Sequence, residues 1–220
     1  MWDILKNRWR QGRRTIPFPS SAEMPKRFRG RPMGEAQKPI DLGKCLFYPE
    51  ETTQYSQDVC MSVREKGDLI LKDELRLAEA LDDKMRKLLG RSLKLREVCA
   101  GSCNGCDLEL QALNNVVFDL SRFGIQFVAS PRHADGLIVT GPVTKNMKLA
   151  LQKTYEAVPP PKIVIAVGAC ALSGGPFVES PEVFHGVDSL LPVDLYIPGC
   201  PPHPLTLLDG MLRLLGRYET

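Results

Sequence analysis

Four cysteines, Cys103, Cys106, Cys170 and Cys200, stand in three glycine-bearing segments: Ala100-Gly-Ser-Cys103-Asn-Gly-Cys106, Gly168-Ala-Cys170 and Pro198-Gly-Cys200-Pro-Pro202. Each segment follows an apolar run of the kind that forms a strand. Thiolate is a soft metal ligand, and four gathered at one place are the donor set of a [4Fe–4S] cluster. Two other chemistries use part of the same set. Zinc also accepts four thiolates, but structural zinc sites usually come as two short paired spacings, whereas here one Cys-x-x-Cys accompanies two lone cysteines. A Cys-x-x-Cys redox dithiol would use Cys103 and Cys106 and leave Cys170 and Cys200 unexplained. Inert buried cysteines are common, yet they do not account for three glycine-flanked ones at strand ends.

The elements that must position these residues begin near Leu93, where strand-like and helix-like patterns alternate. Strands are expected over 93–98, 125–129, 136–140, 162–167 and 193–197, with helices over 107–123, 145–157 and 203–215. Such alternation predicts an α/β fold, a parallel sheet with flanking helices on both faces. Ligands of such sheets bind beyond the carboxyl ends of the strands. Val98, Val167 and Ile197 run directly into the cysteine loops, so all three loops fall on that edge. Gly101, Gly105, Gly168 and Gly199 let the backbone approach inorganic sulfur and adopt positive φ, and loop N–H groups can hydrogen-bond the sulfurs. Pro201 and Pro202 stiffen the last loop.

The first ninety residues read differently. Six prolines punctuate 15–49, which predicts an extended arm. Before it, Trp2, Ile4, Leu5 and Trp9 alternate with Lys6, Arg8 and Arg10 in the pattern of a short basic amphipathic helix, suited to a membrane surface or a partner groove; a solvated terminus is the alternative. Leu71, Leu75, Ala78, Leu81, Met85 and Leu88 predict a helix over 68–89.

Bulk properties exclude several classes. The 220 residues are 43% hydrophobic and 25% charged, ordinary for a globular protein. A net charge of +3 gives no reason to expect nucleic acid, although 1–31 carry nine basic residues against two acidic ones. Seven irregularly spaced cysteines do not read as a secreted disulfide scaffold. No apolar run approaches the roughly 20 residues of a membrane helix, the start lacks a signal-peptide core, and Arg13-Arg14 is followed by Thr-Ile-Pro-Phe-Pro, not by an apolar stretch. The chain is expected in the cytoplasm, with thiols kept reduced for metal.

From Leu95 onward the sequence resembles the small subunit of energy-converting (group 4) [NiFe] hydrogenases and its relative, the complex I 20-kDa subunit. The strings that carry the likeness are Gly-Ser-Cys103-Asn-Gly-Cys106-Asp-Leu-Glu109, Ser130-Pro-Arg132-His133-Ala-Asp135, Thr140-Gly-Pro-Val-Thr144, Val167-Gly-Ala-Cys170-Ala and Pro198-Gly-Cys200-Pro-Pro202. The resemblance implies a flavodoxin-like fold and a single proximal [4Fe–4S] cluster on Cys103, Cys106, Cys170 and Cys200. It implies an electron-transfer subunit of an oxidoreductase complex, with no complete active site in this chain. The [NiFe] centre would lie in a partner large subunit, because Cys45, Cys60 and Cys99 contain no Cys-x-x-Cys pair. The other implied partners are a ferredoxin-type electron-transfer subunit and membrane-arm subunits, which would attach the chain peripherally to the inner face of the cell membrane. The complex I subunit has adjacent cysteines in its first motif; the Cys-x-x-Cys here is the hydrogenase arrangement. A quinone-reducing complex I-like enzyme stays as the alternative, with a structural zinc or interaction subunit as a third.

Residues 11–19, 28–32 and 40–45 resemble the start of the complex I 23-kDa ferredoxin-type subunit, but Tyr48 and Glu51 occupy places where its next cysteines belong. Residues 1–90 are therefore expected to be a degenerate ferredoxin-like docking arm without clusters, and 91–220 the iron–sulfur domain. Glu109, one helical turn past Cys106, is a candidate for proton transfer; with Asp107 it would also complement a helix N-terminus. Arg132 and His133 are candidate contacts to the large subunit, while His185 and His203 read as solvated or structural.

Overall fold

A computed structural model describes residues 2–18, 24–33, 40–42, 54–71, 76–82, 85, 87, 89 and 92–217. Helix α1 (Trp2–Gln11) opens the chain. The arm then forms two small antiparallel pairs, β1 (Pro32–Met33) with β3 (Gln54–Tyr55), and β2 (Ile40–Asp41) with β4 (Ile70–Leu71). The main sheet follows as β5 (Leu93–Cys99), α2 (Gly105–Ala112), β6 (Ile125–Phe127), β7 (Gly136–Thr140), α3 (Lys145–Ala157), β8 (Ile163–Val167), α4 (Gly168–Ser173), β9 (Leu195–Ile197) and α5 (Pro204–Leu214).

All five main strands are parallel, in the order β6-β5-β7-β8-β9. Numbered from β5, that is 2-1-3-4-5, the flavodoxin-like order, with its switch point between β5 and β7. Each face of the sheet carries its own core. Along β8, Ile163, Ile165 and Val167 pack on one side with α5, while Val164 and Ala166 pack on the other with Leu151 of α3. A strand covered on both faces must be apolar throughout, and Ile-Val-Ile-Ala-Val is. Each Ile or Val there contributes roughly 1.5–3 kcal/mol relative to exposure.

Ten of the eleven residues of α5 are buried. A helix apolar on nearly all sides needs cover beyond the sheet, and the arm supplies it. Phe18, Ala78, Leu81 and Leu89 join the core on that side, and Leu42, Val63 and Leu69 join the opposite one. Val63 also makes an antiparallel bridge to Tyr196, closing the exposed edge at β9.

Two expected helices differ. Over 68–89, residues 66–69 form a 3₁₀ turn and Ile70–Leu71 pairs with β2. Ala78 N–H donates to Ser62 O (2.7 Å) and Leu81 N–H to Leu214 O (2.9 Å), so these amides serve tertiary partners; helical backbone returns at 85, 87 and 89. The helix expected over 107–123 ends at Ala112. Asn115 Oδ1 accepts from Val117 N–H (2.7 Å) and Phe118 N–H (3.1 Å), a side-chain turn that competes with the helix; a 3₁₀ turn at Leu120–Phe123 then leads to β6. Cys45, Tyr48 and Glu51 lie outside the described residues.

Candidate metal centre

The three cysteine loops leave the carboxyl ends of β5, β8 and β9, on one edge of the sheet. The β5 loop is held to its neighbour by Ala100 N–H donating to Thr140 O (2.8 Å) and Thr144 N–H to Ala100 O (3.1 Å). The positive-φ steps there fall on Gly101 (φ 95°) and Asn104 (φ 70°), not on Gly105. Asn tolerates that region better than most side chains, so Gly105 is free to start α2 with ordinary φ. Cys106 sits in the first helical turn and is buried; Cys103, before it, is exposed.

Close approach explains Gly168. Its φ is +84°, and a Cβ placed on it would lie 2.5 Å from Cys106 Sγ. A Cβ on Gly175 would lie 2.9 Å from Cys170 Sγ. Ala169 N–H donates to Gly199 O (2.8 Å), which ties the Cys170 loop to the Cys200 loop. Pro201 in turn stands 3.7 Å from where a Gly105 Cβ would be, so the first loop meets the last.

The thiols share one electrostatic neighbourhood. Burial holds the Cys106 proton on most strongly, and Cys170, Cys200 and Cys103 add to it as neighbouring negative charges. Cys170 is pushed up to about 11 by burial, then by Cys200 and Cys103. Cys200 is raised by burial and then by Cys103. Four thiolates repel each other without a cation between them, and bound metal deprotonates coordinating thiols by removing that repulsion. Among the described residues, no three His, Cys, Asp or Glu side chains converge tightly enough to hold a single ion. An all-thiol donor set at the ends of three loops, with glycine clearance beside the Cys106 and Cys170 sulfurs, is chemically suited to a cluster.

A carboxylate that the sequence pattern assigned only to the helix dipole anchors the loop. Asp107 is 5% exposed. Its Oδ1 accepts from Thr140 Oγ1 (2.7 Å) and its Oδ2 from Ser102 Oγ in a very short contact. Ser102 Oγ also accepts from Asn104 N–H (3.1 Å) and lies 3.2 Å from Cys99 Sγ. Asp107 thus joins the cysteine loop, α2 and the end of β7 across the switch point. Glu97, which sequence reasoning missed, is pushed up to about 7, first by burial, then by its hydrogen bond to Asp107 and that residue's charge. The only sequence signal for it was a carboxylate inside a strand.

A cavity of about 390 Å³ opens beside Cys200, with Glu109 and His203 on its wall and Arg27, Phe28 and Arg29 of the arm across it. Burial raises the Glu109 carboxyl. His203 caps α5, its Nδ1 accepting from Leu205 N–H (3.2 Å), and packs edge-on against Phe28 and Phe118; this is the structural role expected. His185 is exposed. Arg132 and His133 are also exposed, in a 3₁₀ turn that ends three residues before β7 begins. They lie at the amino edge of the sheet, opposite the cysteines, because strand direction puts the entry and exit loops of β7 on opposite sides. Cys60 is elsewhere too: its thiol is 3.4 Å from Asp209 Oδ1 and accepts from Arg213 Nη2 (3.2 Å), and burial, then Asp209, pushes it up to about 12.

A flavodoxin-like parallel sheet with four cysteines gathered toward its carboxyl edge is shared with subunits of oxidoreductase complexes. The chain belongs to the family described as NADH ubiquinone oxidoreductase, 20 Kd subunit, whose profile matches residues 103–214. That family binds an iron–sulfur cluster. Among its relatives, the probable membrane-bound hydrogenase subunit mbhJ of Pyrococcus furiosus is 48% identical over 131 residues, 60% of this chain and 78% of that protein. An NADH-quinone oxidoreductase subunit of Phocaeicola vulgatus is 42% identical over 188 residues, 84% of this chain and 89% of that one. A chain of the membrane-bound sulfane sulfur reductase, an archaeal respiratory membrane complex, superimposes with a TM-score of 0.54 at 34% identity, covering 62% of this chain and 75% of that chain. These relatives are subunits of oxidoreductase complexes, two of them described as membrane-bound. No helix among the described residues is long and apolar enough to cross a membrane.

Proposed function

We propose that Cys103, Cys106, Cys170 and Cys200 hold one [4Fe–4S] cluster, and that the chain is the electron-transfer subunit next to the [NiFe] site of a partner large subunit in a membrane-associated hydrogenase. The observation that carries this is the meeting of the three cysteine loops on one sheet edge, two of the four thiols in Cys-x-x-Cys spacing and the loops in contact through Gly168, Gly199 and Pro201. A cluster there supplies one-electron transfer. The protein's part is to hold the loops: Asp107 fixes the Cys103 segment, and Gly168 leaves clearance at Cys106. Glu109, its carboxyl raised and on the cavity wall beside Cys200, is the candidate for holding and passing a proton at the partner interface. The arm acts as a cluster-free docking module toward a ferredoxin-type subunit, and membrane-arm subunits attach the assembly to the inner face of the membrane.

The quinone-reducing reading is favoured by the 84% of this chain that aligns with an NADH-quinone oxidoreductase subunit. Two measurements separate the readings. Anaerobically purified, reduced protein is expected to give a [4Fe–4S] EPR signal with about four irons per chain; stoichiometric zinc without that signal overturns the cluster. Nickel content and hydrogen-dependent dye reduction by the purified complex are expected for the hydrogenase. Their absence, together with quinone reduction, supports the alternative.

A further inference from the structure

Helix α1 buries none of its residues. Trp9 is 92% exposed and Trp2 77% exposed, with Leu5 beside them at 56%. At about 100° per residue, Trp2, Leu5 and Trp9 fall on one stripe of the helix. They line one shallow concavity together with Lys6, Arg8 and Arg13. Over 2–14 there are five cations, Lys6, Arg8, Arg10, Arg13 and Arg14, against one carboxylate, Asp3. A helix of ten residues without tertiary burial is marginal in water, so it needs a surface that takes up indoles along a line and presents negative charge at their borders.

The root of this helix is fixed. Thr15 Oγ1 donates to Val116 O (3.0 Å), Ile16 N–H to Val117 O (2.9 Å), and Arg122 Nη2 to Ile16 O (2.8 Å). The stripe is therefore presented from a fixed point on the domain. At a rise of about 1.5 Å per residue α1 is too short to span a bilayer, but it suits the interface, where indole rings sit at the headgroup level and Arg and Lys extend toward phosphates.

We propose that α1 is a direct lipid anchor, lying in the headgroup layer of an anionic membrane with Trp2, Leu5 and Trp9 inserted and Lys6, Arg8 and Arg13 on the lipid phosphates. This adds to attachment through partner subunits a contact made by the chain itself, and it does not depend on the identity of the metal.

The chain contains two tryptophans, both in α1, so selectively excited tryptophan emission reports on this helix alone. The full-length chain, with its iron content measured in parallel, is titrated with vesicles of phosphatidylcholine containing phosphatidylglycerol and with vesicles of phosphatidylcholine alone. Expected are a blue shift and co-sedimentation with the anionic vesicles only, both weakened by salt. The combined variant Lys6→Gln, Arg8→Gln, Arg13→Gln should bind roughly a hundredfold more weakly. Because α1 buries nothing, its circular dichroism and cluster signal should match the parent. Unshifted emission with the protein left in the supernatant overturns the proposal, as does equal binding of both vesicle types unaffected by the variant. A shift seen only when partner subunits are added assigns the stripe to a protein groove and also overturns it. None of these results bears on the EPR test of the cluster.

Discussion

An alanine at position 168 would put a methyl carbon 2.5 Å from Cys106 Sγ on a backbone at φ +84°. The left-handed conformation alone costs a non-glycine residue about 1–2 kcal/mol, and the sulfur cannot retreat without leaving the site. Gly168→Ala is expected to lower iron per chain and the reduced EPR signal. Gly67→Ala, where nothing lies within 4 Å, should leave both unchanged. Asp107→Ala removes the acceptor for the fully buried Thr140 hydroxyl and should cost about 1–3 kcal/mol in denaturant unfolding. Glu97 gives a pH signature of unusual sign. Its folded value of about 7 stands above the ordinary 4.5, so between those values the folded state holds a proton that the unfolded state has released. Stability contributed by this group is present below about 4.5 and lost as pH rises toward 7. Thermal melts of Glu97→Gln should lack that decline and run above the parent at neutral pH; a variant with the parent's pH profile would remove the assignment.

At the scale of elements, α5 and the arm are held by an ionic group that two separated segments build together. Asp209 is fully buried, Arg213 Nε donates to both its oxygens at 3.1 Å, and Cys60 of the arm completes the group. Arg213→Met removes the cation that faces the buried Asp209 carboxylate and should cost about 3–5 kcal/mol by chemical denaturation. Lys66→Ala breaks a half-exposed pair with Asp188 (2.8 Å) and should cost under about 1 kcal/mol. The difference lies in desolvation: water replaces the surface partner and cannot reach the buried one.

For the whole molecule, the arm is part of the fold's core. Removing 1–90 strips Phe18, Leu42, Val63, Leu69, Ala78, Leu81 and Leu89 from the two cores and opens the β9 edge, so the remainder should melt well below the parent or aggregate. Removing 2–14 takes away only exposed residues of α1 and its tail and should leave the melting temperature unchanged. The alternation of apolar runs from 93 to 215 was legible because strand and helix periods are local properties, and β7 and α3 fall at their expected bounds. The cysteine loops were legible for the same reason: each follows its strand in sequence. The helix over 68–89 was not, because its amides bond to Ser62 and Leu214, and nothing local records such partners. The sequence by itself determined the strands, the thiols that follow them and the edge they must share, since a parallel sheet leaves every strand by the same side. Only the tertiary structure decided which strands are neighbours. That decision brought Asp107 to Thr140 and Glu97, put Gly168 against Cys106, and sent Arg132 and His133 to the far edge, because contact between residues distant in sequence is set by packing.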